Sequence, residues 1–200
     1  MNRRTLLLSA AALAVAGGAA LAQELSLNEL SAYLNQMQTA QGGFTQINGD
    51  GTLSTGQIYI KRPGRIRFEY NAPDNSLVMA GGGQVAVFDP KSNAPADRYP
   101  LNQTPLNIIL ERDVNLGQAR MVTGHTSDGT KTTITAQDPA HPEYGNIQLV
   151  FTANPVELRQ WIVTDDVGEQ TTVILNDFVK GGSIGDVKFN IEAEMRKRGQ

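Results

Sequence analysis

Apolar residues recur along this chain at two spacings, and the switch between them divides it. Over residues 26–40, Leu27, Leu30, Leu34 and Met37 fall on one face of a helix. Ser26 and Glu29 are spaced for a capping box at its start, and Gly42-Gly43 are expected to stop it. From Phe44 onward the period becomes two. Ile58 and Ile60 share a face and, after a turn at Arg62-Pro63-Gly64, so do Ile66, Phe68 and Tyr70, while Gln57, Lys61, Arg65, Arg67 and Glu69 point the other way. That pattern predicts a hairpin of half-buried antiparallel strands.

The alternation repeats at 77–80 and 84–88 around a Gly81-Gly82-Gly83 turn, and further strands are expected at 120–123, 131–136, 147–152, 158–164 and 171–179. Many short strands in series predict a mainly β fold with few helices, a meander that curls into a barrel or half-barrel. One helical interruption is expected in the middle. Thr104 suits an N-cap, Pro105 the first helical position, and Leu106, Ile108, Ile109 and Leu110 make the segment too apolar to stand alone.

The chain start changes the picture. Arg3 and Arg4, an apolar run over 6–20 and the small-residue site Ala20-Leu21-Ala22 read as a secretory signal cleaved near Ala22. The run is short and Ala/Gly-rich for a membrane span, and the Arg3-Arg4 pair fits a twin-arginine signal about as well as the general secretory route. Residues 23–200 would then form one exported domain, long enough for a sizeable core. Cleavage removes two of the 17 basic residues and none of the 20 acidic ones, a formal charge of −5 that disfavours a nucleic-acid partner. With no Cys, the domain must be stable without disulfides and cannot carry a lipidated N-terminal Cys.

Candidate chemistry is thin. His125 falls in a polar, turn-like stretch at 124–129. His141, between Asp138 and Glu143 and among prolines, reads as a surface loop rather than a metal site. The triple glycine lacks the Lys-Ser or Lys-Thr of a phosphate loop, and Asp165-Asp166 fits a hairpin turn. No catalytic residue, metal or cofactor is expected.

The run Gly56-Gln57-Ile58-Tyr59-Ile60-Lys61-Arg62-Pro63-Gly64-Arg65-Ile66-Arg67-Phe68-Glu69-Tyr70, followed by Pro73, preceded by Phe44-Thr45-Gln46 and trailed by Asp89-Pro90, resembles the signature of the LolA family. Thr104-Pro105-Leu106 through Leu110 sits where that family places a lid helix, so the likeness spans essentially the whole exported part. The resemblance implies an unclosed antiparallel β-barrel covered by a short helical lid. It also implies a periplasmic, non-enzymatic chaperone, expected as a monomer. Such a protein takes acylated lipoproteins from an ATP-driven inner-membrane complex of the LolCDE type and hands them to an outer-membrane acceptor of the LolB type. On the same footing Arg62 would latch the lid shut. Ile58, Ile60, Ile66, Phe68, Tyr70, Val85 and Val87 would wall an acyl-chain cavity, with Leu106, Ile109 and Leu110 on the lid, although alternation alone shows only that a face is buried.

Two departures stand out: Arg65 and Arg67 make the outward face unusually basic, and the charged end at 192–200 lacks the proline-rich extension of some relatives. A lipid- or lipoprotein-sensing regulatory module of the same fold is the alternative, although sensors usually carry a further domain. A periplasmic lipid hydrolase would need a nucleophile constellation that the chain lacks. A LolB-type acceptor would need a lipidated Cys.

Overall fold

The computed structural model describes residues 24–92, 94–118 and 120–199. The signal-peptide expectation for residues 1–22 lies outside them. Helix α1, Leu27–Gln36, starts with the expected capping box: Ser26 Oγ accepts from the Glu29 amide, and the Glu29 carboxylate accepts from the Ser26 amide at 2.8 Å. The helix stops at Met37, before the glycines. Gly42 and Gly43 belong instead to strand β1, Thr39–Ile47. A Cβ on Gly42 would meet the Asn176 carbonyl at 2.8 Å, so the glycine permits a close bulged approach between strands rather than ending a helix.

Ten further strands follow: β2 Leu53–Lys61, β3 Ile66–Tyr70, β4 Leu77–Gly81, β5 Gln84–Phe88, β6 Asp97–Pro100, β7 Val122–Ser127, β8 Lys131–Ala136, β9 Asn146–Thr152, β10 Glu157–Thr164 and β11 Gln170–Lys180. They form a single antiparallel sheet in the order β6-β5-β4-β3-β2-β1-β11-β10-β9-β8-β7. Edge strands β6 and β7 do not pair with each other, so the barrel is unclosed. Its curl is visible in one contact. Phe68 on β3 and Trp161 on β10 are four strand spacings apart, about 19 Å if the sheet were flat, yet their rings meet edge-on with centroids 6.3 Å apart.

The concave face holds α1. Leu30, Tyr33, Leu34 and Met37 pack in one core with Phe44, Ile58, Ile60, Ile66, Leu149, Phe151 and Trp161. Residues 101–116 cross over this filling as a lid, through a 3₁₀ turn at Leu101–Gln103 and the short helix α2, Asn107–Leu110. Thr104 does not cap α2 as expected. Its hydroxyl donates back to the Leu101 carbonyl at 2.8 Å and so closes the preceding turn, and α2 begins without a side-chain cap.

One other expectation is corrected, and two elements fall where none was predicted. Strand β7 lies later than predicted and takes in residues 124–127, so His125 is a strand residue, its Nε2 2.9 Å from the Leu25 carbonyl oxygen. Strand β6 was not anticipated. The charged C-terminal stretch, for which no element was predicted, forms helix α3, Ile191–Lys197, capped by Asn190 Oδ1 accepting from the Ala193 amide at 2.8 Å.

Helix α3 and the 3₁₀ turn Asp186–Phe189 cover the convex side of β3 to β5. Ile191 packs there with Leu77, Met79, Ala86 and Phe88. Gly81, the last residue of β4, lies so close under this C-terminal strap that a Cβ would come within 2.1 Å of the Phe189 carbonyl. Arg67 does point away from Ile66 and Phe68, but not into water: it is 8% exposed and bonds Glu194 at 3.2 Å, Glu69 at 2.7 Å and the Lys188 carbonyl at 3.1 Å. Arg65 bonds Asp186 at 2.6 Å. The outward basic residues are therefore partners of the C-terminal strap. No helix among the described residues is long and apolar enough to cross a membrane.

Candidate functional site

The two ends of the concave face differ. Near the β2–β3 turn it is filled by α1 and the lid, whereas toward the far ends of β3 and β5 the filling stops short. A cavity of about 280 Å³ remains there, near the lower end of ordinary ligand pockets. Phe68 and Tyr70 come from β3, Val85 and Val87 from β5, Trp161 from β10 and Leu106 from the lid. The sheet register places them together, pairing Phe68 with Val78 and Val78 with Val87 so that all face inward. Edge-on contacts of Phe44 with Phe68 and Tyr70, at 5.3 and 5.0 Å, hold the aromatic wall rigid.

Five of the ten residues expected to form the cavity line it: Phe68, Tyr70, Val85, Val87 and Leu106. The other five, Ile58, Ile60, Ile66, Ile109 and Leu110, are at most 1% exposed and sit in the packed core with α1. Alternation identified their face correctly, but the helix lying on that end of the face belongs to a separate segment of sequence.

Arg62 stands where the hairpin, α1 and the lid meet, 4% exposed. Its guanidinium donates to the Leu34 carbonyl on α1, to Asn35 Oδ1 at 3.1 Å, to the Glu111 carbonyl (Nε, 3.1 Å) and to the Arg112 carbonyl at 3.3 Å. A planar cation with five donors thus joins the C-terminal turn of α1, where carbonyls have no i+4 helical amide to accept from, to the part of the lid just after α2. Burial pulls its pKa below the usual guanidinium value, opposed by the carboxylates of Asp113 and Glu111. Glu111 is itself pushed up by burial and then by Asp138, with Arg62 opposing.

Residues that sequence reasoning missed complete the seam. Asn35 donates to the Val114 carbonyl and accepts from the Val114 amide, both at 2.9 Å, and Ser31 Oγ accepts from the Leu116 amide at 3.0 Å. The Gly64 amide donates to the Leu110 carbonyl at 2.8 Å. Ser31 and Asn35, four apart on α1 and half-buried beside its buried face of Leu30, Tyr33 and Leu34, were the available signal.

Among the described residues no group of three or more His, Asp or Glu side chains is placed to hold a metal ion. His141 pairs with Glu143 at 2.9 Å, and Asp138 accepts from the Ala140 amide.

Residues 35–192 match the sequence model of a family described as outer membrane lipoprotein carrier protein LolA. An outer-membrane lipoprotein carrier protein from Azotobacter vinelandii is 28% identical over 94% of this chain and 93% of its own. One from Pseudomonas putida GB-1 is 26% identical over the same shares. A solved LolA superfamily protein from Nitrosomonas europaea superposes with a TM-score of 0.43 at 13% identity, over 83% of this chain and 98% of that one.

Proposed function

The chain belongs to the LolA family of outer membrane lipoprotein carrier proteins, and from that premise we propose that it is a non-enzymatic periplasmic chaperone whose cavity shelters the acyl chains of lipoproteins in transit. It accepts cargo from a LolCDE-type inner-membrane complex and delivers it to a LolB-type outer-membrane acceptor. The observation that carries this reading is a mainly apolar cavity beneath a lid held by hydrogen bonds as well as by packing.

The energetics favour such a shelter. At ~0.8 kcal/mol per buried methylene, a lipoprotein with two or three long chains costs on the order of 30 kcal/mol to expose to water. A cavity of about 280 Å³ is small for that load, so loading requires the lid to lift. Lifting would uncover Ile58, Ile60, Ile66, Ile109 and Leu110 as additional wall. Arg62 is then the latch: its polar bonds to the Leu34, Glu111 and Arg112 carbonyls favour the empty, closed state, and cargo competes with that closure.

Trp161 supplies a direct test. It is the single tryptophan of the sequence, is 1% exposed and lines the cavity. Titration with an acylated lipopeptide should change its fluorescence saturably at one equivalent, and the same peptide without acyl chains should leave it unchanged. No response to either, together with no binding in equilibrium dialysis, would exclude the cavity as the acyl site.

A further inference from the structure

The cavity is not wholly apolar. Along β1 the inward positions run through Ala40 and Phe44 to Gln46, and along β3 through Ile66 and Phe68 to Tyr70. Two strands that otherwise present grease thus each end in a polar side chain, and both line the cavity. The two are bonded to each other: Tyr70 Oη donates to Gln46 Oε1 at 2.7 Å. Gln46 Nε2 in turn donates to Asn48 Oδ1 at 2.6 Å, and Asn48 Nδ2 to Thr52 Oγ1 at 2.9 Å. Polar groups at the edge of an apolar cavity cost desolvation, and leucine and phenylalanine would fill the same places without it.

The chain of bonds fixes the orientation of the Gln46 amide. Its oxygen accepts from Tyr70 and one N–H is given to Asn48, which leaves its second N–H without a partner among the described residues. Burial pushes the Tyr70 phenol up to about 12, so it stays a neutral hydroxyl. Among the described residues no Lys or Arg lines the cavity to balance an anionic ligand. A preorganised neutral donor beside a greasy wall suits a neutral acceptor attached to hydrocarbon.

We propose that Gln46, held by Tyr70 and Asn48, donates a hydrogen bond to an ester carbonyl of the acyl–glyceryl group whose alkyl chains occupy the cavity. The inference deepens the carrier reading and rests on it. Gln46 contacts the ligand; Tyr70 is a positioning residue.

The test compares a peptide bearing an S-dipalmitoylglyceryl cysteine with its dihexadecyl ether counterpart, identical in chain length but without carbonyls, with binding read from Trp161 fluorescence. The protein should hold the ester about fivefold more tightly, the worth of one net hydrogen bond. Gln46→Leu should bind both at the ether's affinity, and Tyr70→Phe should narrow the preference. Peptide-free dipalmitoylglycerol, as competitor, should show the same dependence on Gln46 if the carbonyl alone is read; a cargo-specific contact would make it a weaker competitor with that dependence intact. Equal affinity of the wild-type protein for ester and ether, a comparison that needs no variant, overturns the inference and leaves the carrier reading standing. So does a preference that persists in Gln46→Leu. Failure to bind either peptide brings down both.

Discussion

Arg62→Leu is expected to yield a folded protein that loads acylated cargo but passes it on at least tenfold more slowly than the wild type. The guanidinium bonds carbonyls of Leu34, Glu111 and Arg112 and the amide oxygen of Asn35, joining α1 to the lid across four contacts. Leucine fills part of the volume and supplies no donor. Hydrogen bonds to a charged group are each worth roughly 1.5–3 kcal/mol, and part of that is recovered by water once the lid moves. A net loss of about 2–4 kcal/mol of closed-state preference shifts the open-to-closed ratio by roughly 30- to 1,000-fold. Cargo that no longer competes with closure stays bound. Hydrogen exchange reports the mechanism independently, because the amides of Val114 and Leu116 bond to Asn35 and Ser31 in the closed seam and should exchange faster in the variant. Unchanged exchange and transfer would remove Arg62 from the latch role.

The largest effect on stability is expected at Arg67→Ala. Arg67 and Glu194 are 8% and 9% exposed, and the arginine also holds Glu69 and the Lys188 carbonyl. Alanine leaves the Glu194 carboxylate half-paired, with Arg198 at 2.9 Å as its remaining partner. Removing one member of a buried ion pair costs about 3–5 kcal/mol, or roughly 6–20 °C in Tm for a domain of this size. Replacing the pair together, Arg67→Met with Glu194→Leu, should recover most of it, since no buried charge is stranded. Burial pushes the Glu194 carboxyl up, but Arg198 and Arg67 together hold it below its usual value. Its contribution is therefore full above the ordinary carboxylate range of about 4.3 and is lost as pH falls through the lower folded value. The deficit of Arg67→Ala should accordingly shrink below about pH 4. A deficit independent of pH would point to lost packing rather than lost charge.

How much of this was readable in advance depends on how local the cause is. The capping box at Ser26 and Glu29 and the turn at Arg62-Pro63-Gly64 are set by neighbours in sequence, and both were legible. So was strand β8, where Ile134 and Ala136 alternate with threonines. Helix α3 was not, because a seven-residue stretch with four charges has no face that announces itself until Leu77, Met79 and Phe88 are known to lie beneath it. Strand β6 carries Asp97 and Arg98 and pairs on one side only, so it shows little apolar alternation. At the candidate site, Arg62 stood out through a family resemblance. Its partners Asn35, Glu111 and Arg112 lie 27 to 50 residues away, and no periodicity encodes such a meeting. The division of Ile58 and Ile60 from Phe68 and Tyr70, core against cavity, is set by where α1 ends on the concave face.

The most direct test of the account is to incubate the purified protein with vesicles that hold an acylated lipoprotein and an active LolCDE-type release complex, then separate soluble from membrane-bound cargo. The account predicts that the lipoprotein leaves the membrane as a soluble one-to-one complex with this protein, and that cargo lacking acyl chains forms none. Cargo that remains on the membrane while the release complex hydrolyses ATP would contradict it.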